Sequence, residues 1–309
     1  MRNNLQHSGT RELIDGLLSQ PSTISPKYFY DARGSALFEE ITRLPEYYPT
    51  RTEAELMARE GKHIARALGP VATIIELGAG NCEKAKALCA LLHPERFLAV
   101  DISAEFLHEA IDGLRDAFPA LEVHAFAADL TQDLTVPSDI PAAGRLLFYP
   151  GSSIGNFDPP AALSLLSRIR SLLDDDGGLL IGVDLIKDTE RLHAAYNDAA
   201  GVTAAFNLNV LSHVNQVLGS NFNLEQWRHV AFFNDRKARI EMHLEAATEL
   251  RVSWPGGHRD YACGERIHTE NSYKYDIEGF AHLLTQAGFQ KTQAWTDQRG
   301  WFAVVLARP

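Results

Sequence analysis

Between residues 72 and 184, short apolar stretches alternate with longer amphipathic ones, and this alternation limits the fold more than any other feature of the chain. The stretches "ATIIEL", "RFLAVDI", "EVHAFAAD", "RLLFYPGSSIG" and "GGLLIGVDL" read as buried strands. Between them "CEKAKALCALL", "SAEFLHEAIDGLRDAF" (capped by Ser103) and "PPAALSLLSRIRSLL" (prolines at its start) read as helices. Strands separated by helices return parallel, so the pattern predicts a parallel α/β sheet with right-handed crossovers.

On either side the pattern differs. Residues 10–20 and 52–68 read as helices, the second with Thr52 as N-cap and Leu56, Ile64 and Leu68 on one stripe. The alternation stops near 190, where "TERLHAAYNDAAGVTAAFNLNVLSHVNQVLG" is long and helical and "RIEMHLEAATELRVSW" reads as strands with a turn. The end reads as a helix followed by two strands around "DQRG". A sheet that closes with a helix and a β-hairpin is the pattern of class I S-adenosylmethionine-dependent methyltransferases, a Rossmann-like α/β fold. No linker rich in Pro, Gly or Ser interrupts the 309 residues, so any second domain is woven into the first.

Composition narrows the function classes. With 45% hydrophobic residues the chain can fill one large core or two modest ones. The net charge of -11 and the lack of a Lys/Arg cluster disfavour a nucleic-acid partner. Cys82, Cys89 and Cys263 form no CxxC, which disfavours a disulfide framework or a zinc site and suits a reducing cytoplasm. The N-terminal segment lacks the apolar core of a secretory signal, and no apolar run reaches the roughly 20 residues of a bilayer span. The expectation is a soluble cytoplasmic protein with no membrane partner, no metal and no obligate protein partner.

In an open parallel sheet, ligands bind beyond the carboxyl ends of the strands, where strand order reverses. "ELGAG" ends the first strand, and its glycines let backbone approach a ligand or simply make a tight turn. Asp101 ends the second strand, 21 residues beyond Gly80, where a carboxylate can accept from two ribose hydroxyls. "AADL" ends the third strand and places Asp129 near an adenine amino group. A dinucleotide fingerprint needs a third glycine, and Glu83 stands there, which argues against a nicotinamide oxidoreductase. A helix N-terminus with no phosphate to cradle suits S-adenosylmethionine, and Lys84 reads either as a partner of its carboxylate or as a solvated helix lysine.

Three further stretches are candidates for the acceptor. "FYPGSSIGNFDPP" follows the fourth strand, with Asn156 as a short amide or a turn cap. Its Gly151–Gly155 segment fits G-x-S-x-G with Ser153 central, but "NFDPP" intervenes where a nucleophile elbow would open a helix at once. "RLPEYYPTR" packs two tyrosines before a proline. In "ERIHTENSYKY", strand alternation puts His268, Glu270, Ser272 and Lys274 on one side and Ile267, Thr269 and Tyr273 on the other, as a solvated face or as a pocket wall.

Together with "KYFYDARGSALFEEITRLPEYYPTRTEAE", "ELGAGNCEKA", "DLIKDTERLHAAYNDAAGVTAAFN" and "RIEMHL", these motifs make the chain resemble, from about residue 25 to its end, the ergothioneine-pathway histidine Nα-methyltransferases. The resemblance implies trimethylation of the α-amine of L-histidine by S-adenosylmethionine. It places cofactor contacts at Gly78, Lys84, Asp101, Asp129 and the backbone of Leu130. It gives the substrate carboxylate to Asn156 and Tyr196 and the imidazole to Tyr47, Glu270 and Ser272, with Met242 packed against the ring and Tyr30 near the amine. The family's choice of histidine depends on Glu270 and Met242, both present; His268, Asn271 and Tyr273 depart from the usual family residues. The implied architecture is a methyltransferase domain (60–190 and 286–309) and a substrate-binding domain (1–59 and 191–285). The alternatives are an N-methyltransferase for another amino acid, such as tryptophan or a modified histidine, and a non-catalytic S-adenosylmethionine-binding protein.

Overall fold

The computed structural model describes every residue except Met1, Ser103, Thr131 and Asp133, and only the backbone of residues 2–8, 104–106, 108 and 109. The cap expected at Ser103 lies outside the described residues. In chain order the elements are α1 (Arg2–Leu18), β1 (Ser22–Thr23), α2 (Ala32–Arg43), α3 (Tyr48–Leu68), β2 (Thr73–Leu77), α4 (Glu83–Leu92), β3 (Arg96–Asp101) and α5 (Ala104–Ala117). Then come β4 (Glu122–Ala127), β5 (Arg145–Tyr149), α6 (Pro159–Ser171), β6 (Gly178–Asp184), α7 (Thr189–Tyr196), α8 (Val202–Leu218), β7 (Trp227–Asn234) and β8 (Arg239–Ala246). The chain ends with β9 (Leu250–Trp254), β10 (Gly257–Tyr261), β11 (Arg266–Tyr273), α9 (Ile277–Gln286), β12 (Lys291–Thr296) and β13 (Phe302–Arg308).

Residues Tyr48–Lys187 and Tyr273–Pro309 form one compact unit. Its sheet has the order β12-β13-β6-β5-β2-β3-β4, with β13 antiparallel to both neighbours and the other pairs parallel. This is the class I methyltransferase arrangement, and the order reverses between β2 and β5. Strands β2, β5 and β6 are buried at every position because helices cover both faces. Alternate residues serve two cores: Ile74, Phe97 and Phe148 pack with Leu56, Ile64 and Leu88, while Ile75, Leu98 and Leu147 pack with Leu165, Ile169 and Phe280.

Residues Met1–Tyr47 and Asp188–Ser272 form the second unit. Its main sheet has the order β1-β11-β8-β7, with β1 parallel to β11 and β7 antiparallel to β8; β9 and β10 make a separate antiparallel pair. Asp31 caps α2 by accepting from the Gly34 N–H at 2.7 Å, and the same oxygen accepts from Asn209 of α8 at 2.8 Å.

Three expected boundaries move. Helix α3 starts at Tyr48 with Pro49 in its first turn, so Thr52 is a buried interior residue and not a cap. The helical stretch after 188 is two helices, because Asp198 accepts from the Val202 and Thr203 N–H groups and Gly201 turns at φ 75°. Residues 48–59 and 273–285, expected in the substrate-binding domain, lie with the seven-stranded sheet. There Leu56, Phe280 and Leu284 join its cores. No helix among the described residues is long and apolar enough to cross a membrane.

Candidate cofactor and substrate sites

In the larger unit the polar groups gather where the strands end. After β2 the chain turns through Gly78 (φ 67°) and Gly80 (φ 52°), a backbone region that suits glycine, and a Cβ built at either would meet nothing within 4 Å. The turn therefore leaves room beside its backbone for a ligand. Gly78 and Ala79 donate to the Val100 carbonyl at 2.8 and 3.1 Å. Gly80 donates to Asp101 Oδ2 at 3.0 Å, so the acid at the end of β3 is oriented by the turn it faces. Asp129 lies two residues past β4, where its carbonyl accepts from the Gln132 N–H; the Leu130 carbonyl accepts from Arg168 at 2.9 Å.

Two carboxylates beneath this turn were not singled out from sequence as site residues. Glu76 is 1% exposed and its Oε2 has no partner among the described residues. Burial pushes its pKa well up, the charges of Glu53 and Asp101 push the same way, and Lys84 opposes them, which favours the protonated acid. Glu53 of α3 accepts from Lys84 Nζ at 2.5 Å and from the Gly151 N–H at 2.9 and 3.1 Å. Lys84 is thus already half of an ion pair that ties the glycine turn to the loop after β5, which neither sequence reading of it anticipated. The signal for Glu53 was an acid three residues before Leu56 on the buried stripe of an amphipathic helix.

The loop after β5 is held from both sides. Gly151 and Ser152 have φ of 79° and 61°, and residues Ser153–Asn156 make one turn of 3-10 helix. Ser152 Oγ accepts from the Asp184 N–H at 2.8 Å, and Ser153 Oγ donates to the Pro150 carbonyl at 3.3 Å. Neither hydroxyl is placed as a nucleophile. A Cβ at Gly155 would come within 2.8 Å of the Tyr273 carbonyl. Below the loop Asp184 accepts from Tyr48 Oη at 2.7 Å, Lys274 at 2.8 Å and Lys187 at 2.5 Å. Burial disfavours its charge, but the two ammonium groups outweigh burial and lower its pKa. Burial also brings Lys187 down to about 8 against the pull of Asp184.

In the smaller unit the polar groups lie along strands. Tyr196, at the end of α7, donates from its hydroxyl to Ser272 Oγ at 2.7 Å. Its ring meets that of Tyr47 edge-on at 6.4 Å; Phe38 links Tyr47 to Tyr30 by edge contacts of 6.2 and 5.9 Å. Met242 is 1% exposed in the middle of β8, and Glu270 is half-buried on β11. The expected residues Tyr30, Tyr47, Tyr196, Met242, Glu270 and Ser272 therefore share one unit, and Gly78, Lys84, Asp101, Asp129, Leu130 and Asn156 share the other. Along β11 burial falls on Ile267 and Thr269, then on Ser272, so the alternation expected from sequence changes phase at Glu270 and Asn271.

The family profile of S-adenosylmethionine-dependent, histidine-specific methyltransferases matches residues 9–309. The chain belongs to this family. It is 42% identical to the histidine N-alpha-methyltransferase of Mycolicibacterium smegmatis, over 96% of this chain and 94% of that one. The histidine N-alpha-methyltransferase of Mycobacterium tuberculosis is 38% identical over the same shares. The ergothioneine biosynthesis protein 1 of Neurospora crassa is 30% identical over 93% of this chain and 33% of that protein.

The cofactor named by the family suits the turn after β2. Its backbone is open to a ligand, an acid follows β3 where a ribose needs an acceptor, and a buried acid with one unpartnered oxygen lies beneath. A second cluster in this family member has another character. Glu241, His243 and His268 each bring a ligating atom within 4.8 Å of the others. Yet Arg239 donates to Glu241 Oε1 at 2.8 and 2.6 Å, Asn234 donates to it at 2.9 Å, and His243 Nε2 meets Oε2 at 3.1 Å. The guidinium supplies the positive charge that a metal would bring. Although burial opposes it, this pairing takes the Glu241 pKa down to about 2, and burial takes His243 to about 4. The cluster is an ion pair with neutral imidazoles stacked beside it, at 4.8 Å between the two rings.

Proposed function

We propose that the chain methylates the α-amine of L-histidine, in up to three steps, to give hercynine in ergothioneine biosynthesis. The observation that carries this reading is the grouping of Glu270, Ser272, Tyr196 and Met242 in one small unit, with the Tyr196 and Ser272 hydroxyls 2.7 Å apart. A carboxylate and a hydroxyl suit an imidazole, which offers N–H and N: at opposite edges of a small ring. Glu270 accepts a ring N–H, and more strongly from a charged ring. Ser272 and Tyr47 complete the ring's surroundings, and the fully buried Met242 packs against it. Tyr196 is the carboxylate anchor on this unit, and Asn156, at the end of the β5 loop, is a second carboxylate donor.

S-adenosylmethionine supplies a methyl carbon made electrophilic by its sulfonium. Asp101 and Asp129 would hold its ribose and adenine, and the Gly78 turn and the Leu130 backbone would border it. Lys84 acts there as an ion pair with Glu53. The attacking amine must be neutral, because an ammonium has no lone pair, and its ordinary pKa lies above neutrality. The proton leaves to bulk water, and Tyr30 with a bridging water is the candidate relay, taking one proton as it passes another on. The rest of the rate comes from fixing both ends of the amino acid, so that the amine has one direction in which to react. Mass spectrometry of L-histidine incubated with the protein and methyl-labelled cofactor tests the reading. Successive methyl additions on the α-nitrogen are expected; label on a ring nitrogen, or no transfer to histidine, overturns it.

A further inference from the structure

Tyr196 is fastened at both ends. Its hydroxyl donates to Ser272, and its carbonyl accepts from His229 Nε2 at 2.9 Å. A carbonyl only accepts, so Nε2 carries the hydrogen and a neutral His229 leaves Nδ1 as an acceptor. That acceptor meets Asn207 Nδ2 at 2.9 Å. The same amide nitrogen reaches the His243 carbonyl at 2.9 Å, and Asn207 Oδ1 accepts from Thr269 Oγ1 at 2.7 Å. Thr269 Oγ1 also lies 3.1 Å from the Met242 carbonyl.

Asn207 is 0% exposed and Thr269 is 1% exposed. The chemistry fixes every member of this chain. With its amide flipped, Asn207 would set an oxygen against both the His243 carbonyl and the Nδ1 lone pair. A protonated His229 would set an N–H against the Asn207 N–H, and burial already holds the ring neutral by lowering its pKa. The chain also closes on itself. It runs from the Tyr196 carbonyl through His229 and Asn207 to Thr269, along β11 past Glu270 to Ser272, and back to the Tyr196 hydroxyl. Two branches reach successive carbonyls of β8, from Thr269 to Met242 and from Asn207 to His243. All the groups it touches flank residues assigned to histidine in the proposed function.

We propose that Asn207 and His229 are positioning residues for substrate selection, bracing Tyr196, Met242 and the Glu270 segment of β11 in the geometry that accepts L-histidine. This rests on the histidine reading above. Neither residue need touch the substrate: a neutral imidazole and a buried amide set the positions of the groups that do.

The experiment compares wild type, Asn207→Leu, His229→Leu and His229→Gln, with histidine and cofactor varied separately and Tm recorded for each. Both leucine variants should raise KM for histidine by about tenfold or more, since they leave buried polar groups unpaired, while KM for the cofactor stays within about twofold. His229→Gln can still donate an N–H toward the Tyr196 carbonyl and should recover most of the loss. Leucine variants that melt earlier but keep the wild-type histidine KM overturn the proposal, as does a parallel rise of both KM values or a glutamine variant no better than leucine. Nitrogen NMR of wild-type His229 is a check that needs no variant: the Nε2–H tautomer is expected, and Nδ1–H overturns the brace. A wild type that does not methylate histidine sinks the functional reading itself; normal wild-type turnover with unmoved variants sinks only this inference.

Discussion

The two sheets of this chain carry their chemistry in opposite places. In the seven-stranded sheet β2, β5 and β6 are buried throughout, and the polar groups wait at strand ends: the Gly78 turn, Asp101, the Gly151–Asn156 loop and Asp184. In the four-stranded sheet they stand within the strands, with Glu241 and His243 on β8 and Thr269, Glu270 and Ser272 on β11. A parallel sheet covered on both faces can offer a ligand only its edges. A sheet with one face less enclosed can line a site with side chains. The difference teaches that one region offers a ligand loop backbone and a few side chains at strand ends while the other offers side chains set within strands, and each invites a different kind of damage.

The largest effect should come from Asp184, where the strand-end design depends on one buried charge. The side chains of Asp184 and its partners Lys187 and Lys274 are 1%, 3% and 1% exposed. Asp184→Ala leaves two buried ammonium groups without their carboxylate, a loss of about 3–5 kcal/mol for a broken buried pair. Chemical denaturation should show it, and a loss below about 1 kcal/mol would mean that the lysines find other partners or deprotonate, as the lowered pKa of Lys187 permits.

The in-strand design predicts a different signature. Glu270→Ala should raise KM for histidine by roughly a hundredfold, the scale of a charge-assisted hydrogen bond, with KM for the cofactor within about twofold. Equal changes in both constants would remove Glu270 from ring recognition. Asp101→Ala is the mirror case, and its effect is smaller because the Gly78 and Ala79 N–H bonds to Val100 still hold the turn. Calorimetry should find cofactor affinity down by about tenfold with histidine recognition unchanged. Unchanged cofactor affinity would mean that Asp101 serves only to orient Gly80.

The same contrast explains what the sequence disclosed. The alternation of strands and helices, the glycine turn and Asp101 were legible because an edge site rests on backbone chemistry with a fixed address: glycine where φ is positive, an acid where a strand stops. Glu53 and Glu76 were harder to assign, because a buried acid in an apolar run looks like an exception until its neighbours are known. In the smaller sheet, residues alone left Glu270 and Ser272 open between a solvated face and a pocket wall. Only the family resemblance gave Met242 and Tyr196 a role, since their local pattern is that of core packing. Asn207 and His229 had no sequence signal, because the partners of Asn207 lie on β7, β8 and β11 and those of His229 on α7 and α8, and nothing local requires an amide or an imidazole.

The smallest expected effect separates the two regions by pH. Burial lowers the pKa of His229 and His268, and takes His243 from 6.5 to about 4, so all three are neutral in the folded protein where the unfolded chain would bind protons. A folded pKa below the unfolded one gives stability that is complete above about 6.5 and is lost as the pH falls through the folded pKa. All three histidines belong to the smaller unit. Thermal melts between pH 7 and about pH 4 should therefore decline, and hydrogen exchange should show β7, β8 and β11 loosening before β2, β5 and β6. His229→Gln removes one of the titrating groups and should flatten the upper part of that decline. If exchange in β2 and β5 rose first instead, the acid-sensitive element would be the carboxylates of the larger sheet, and the in-strand imidazoles would not set the order of loss.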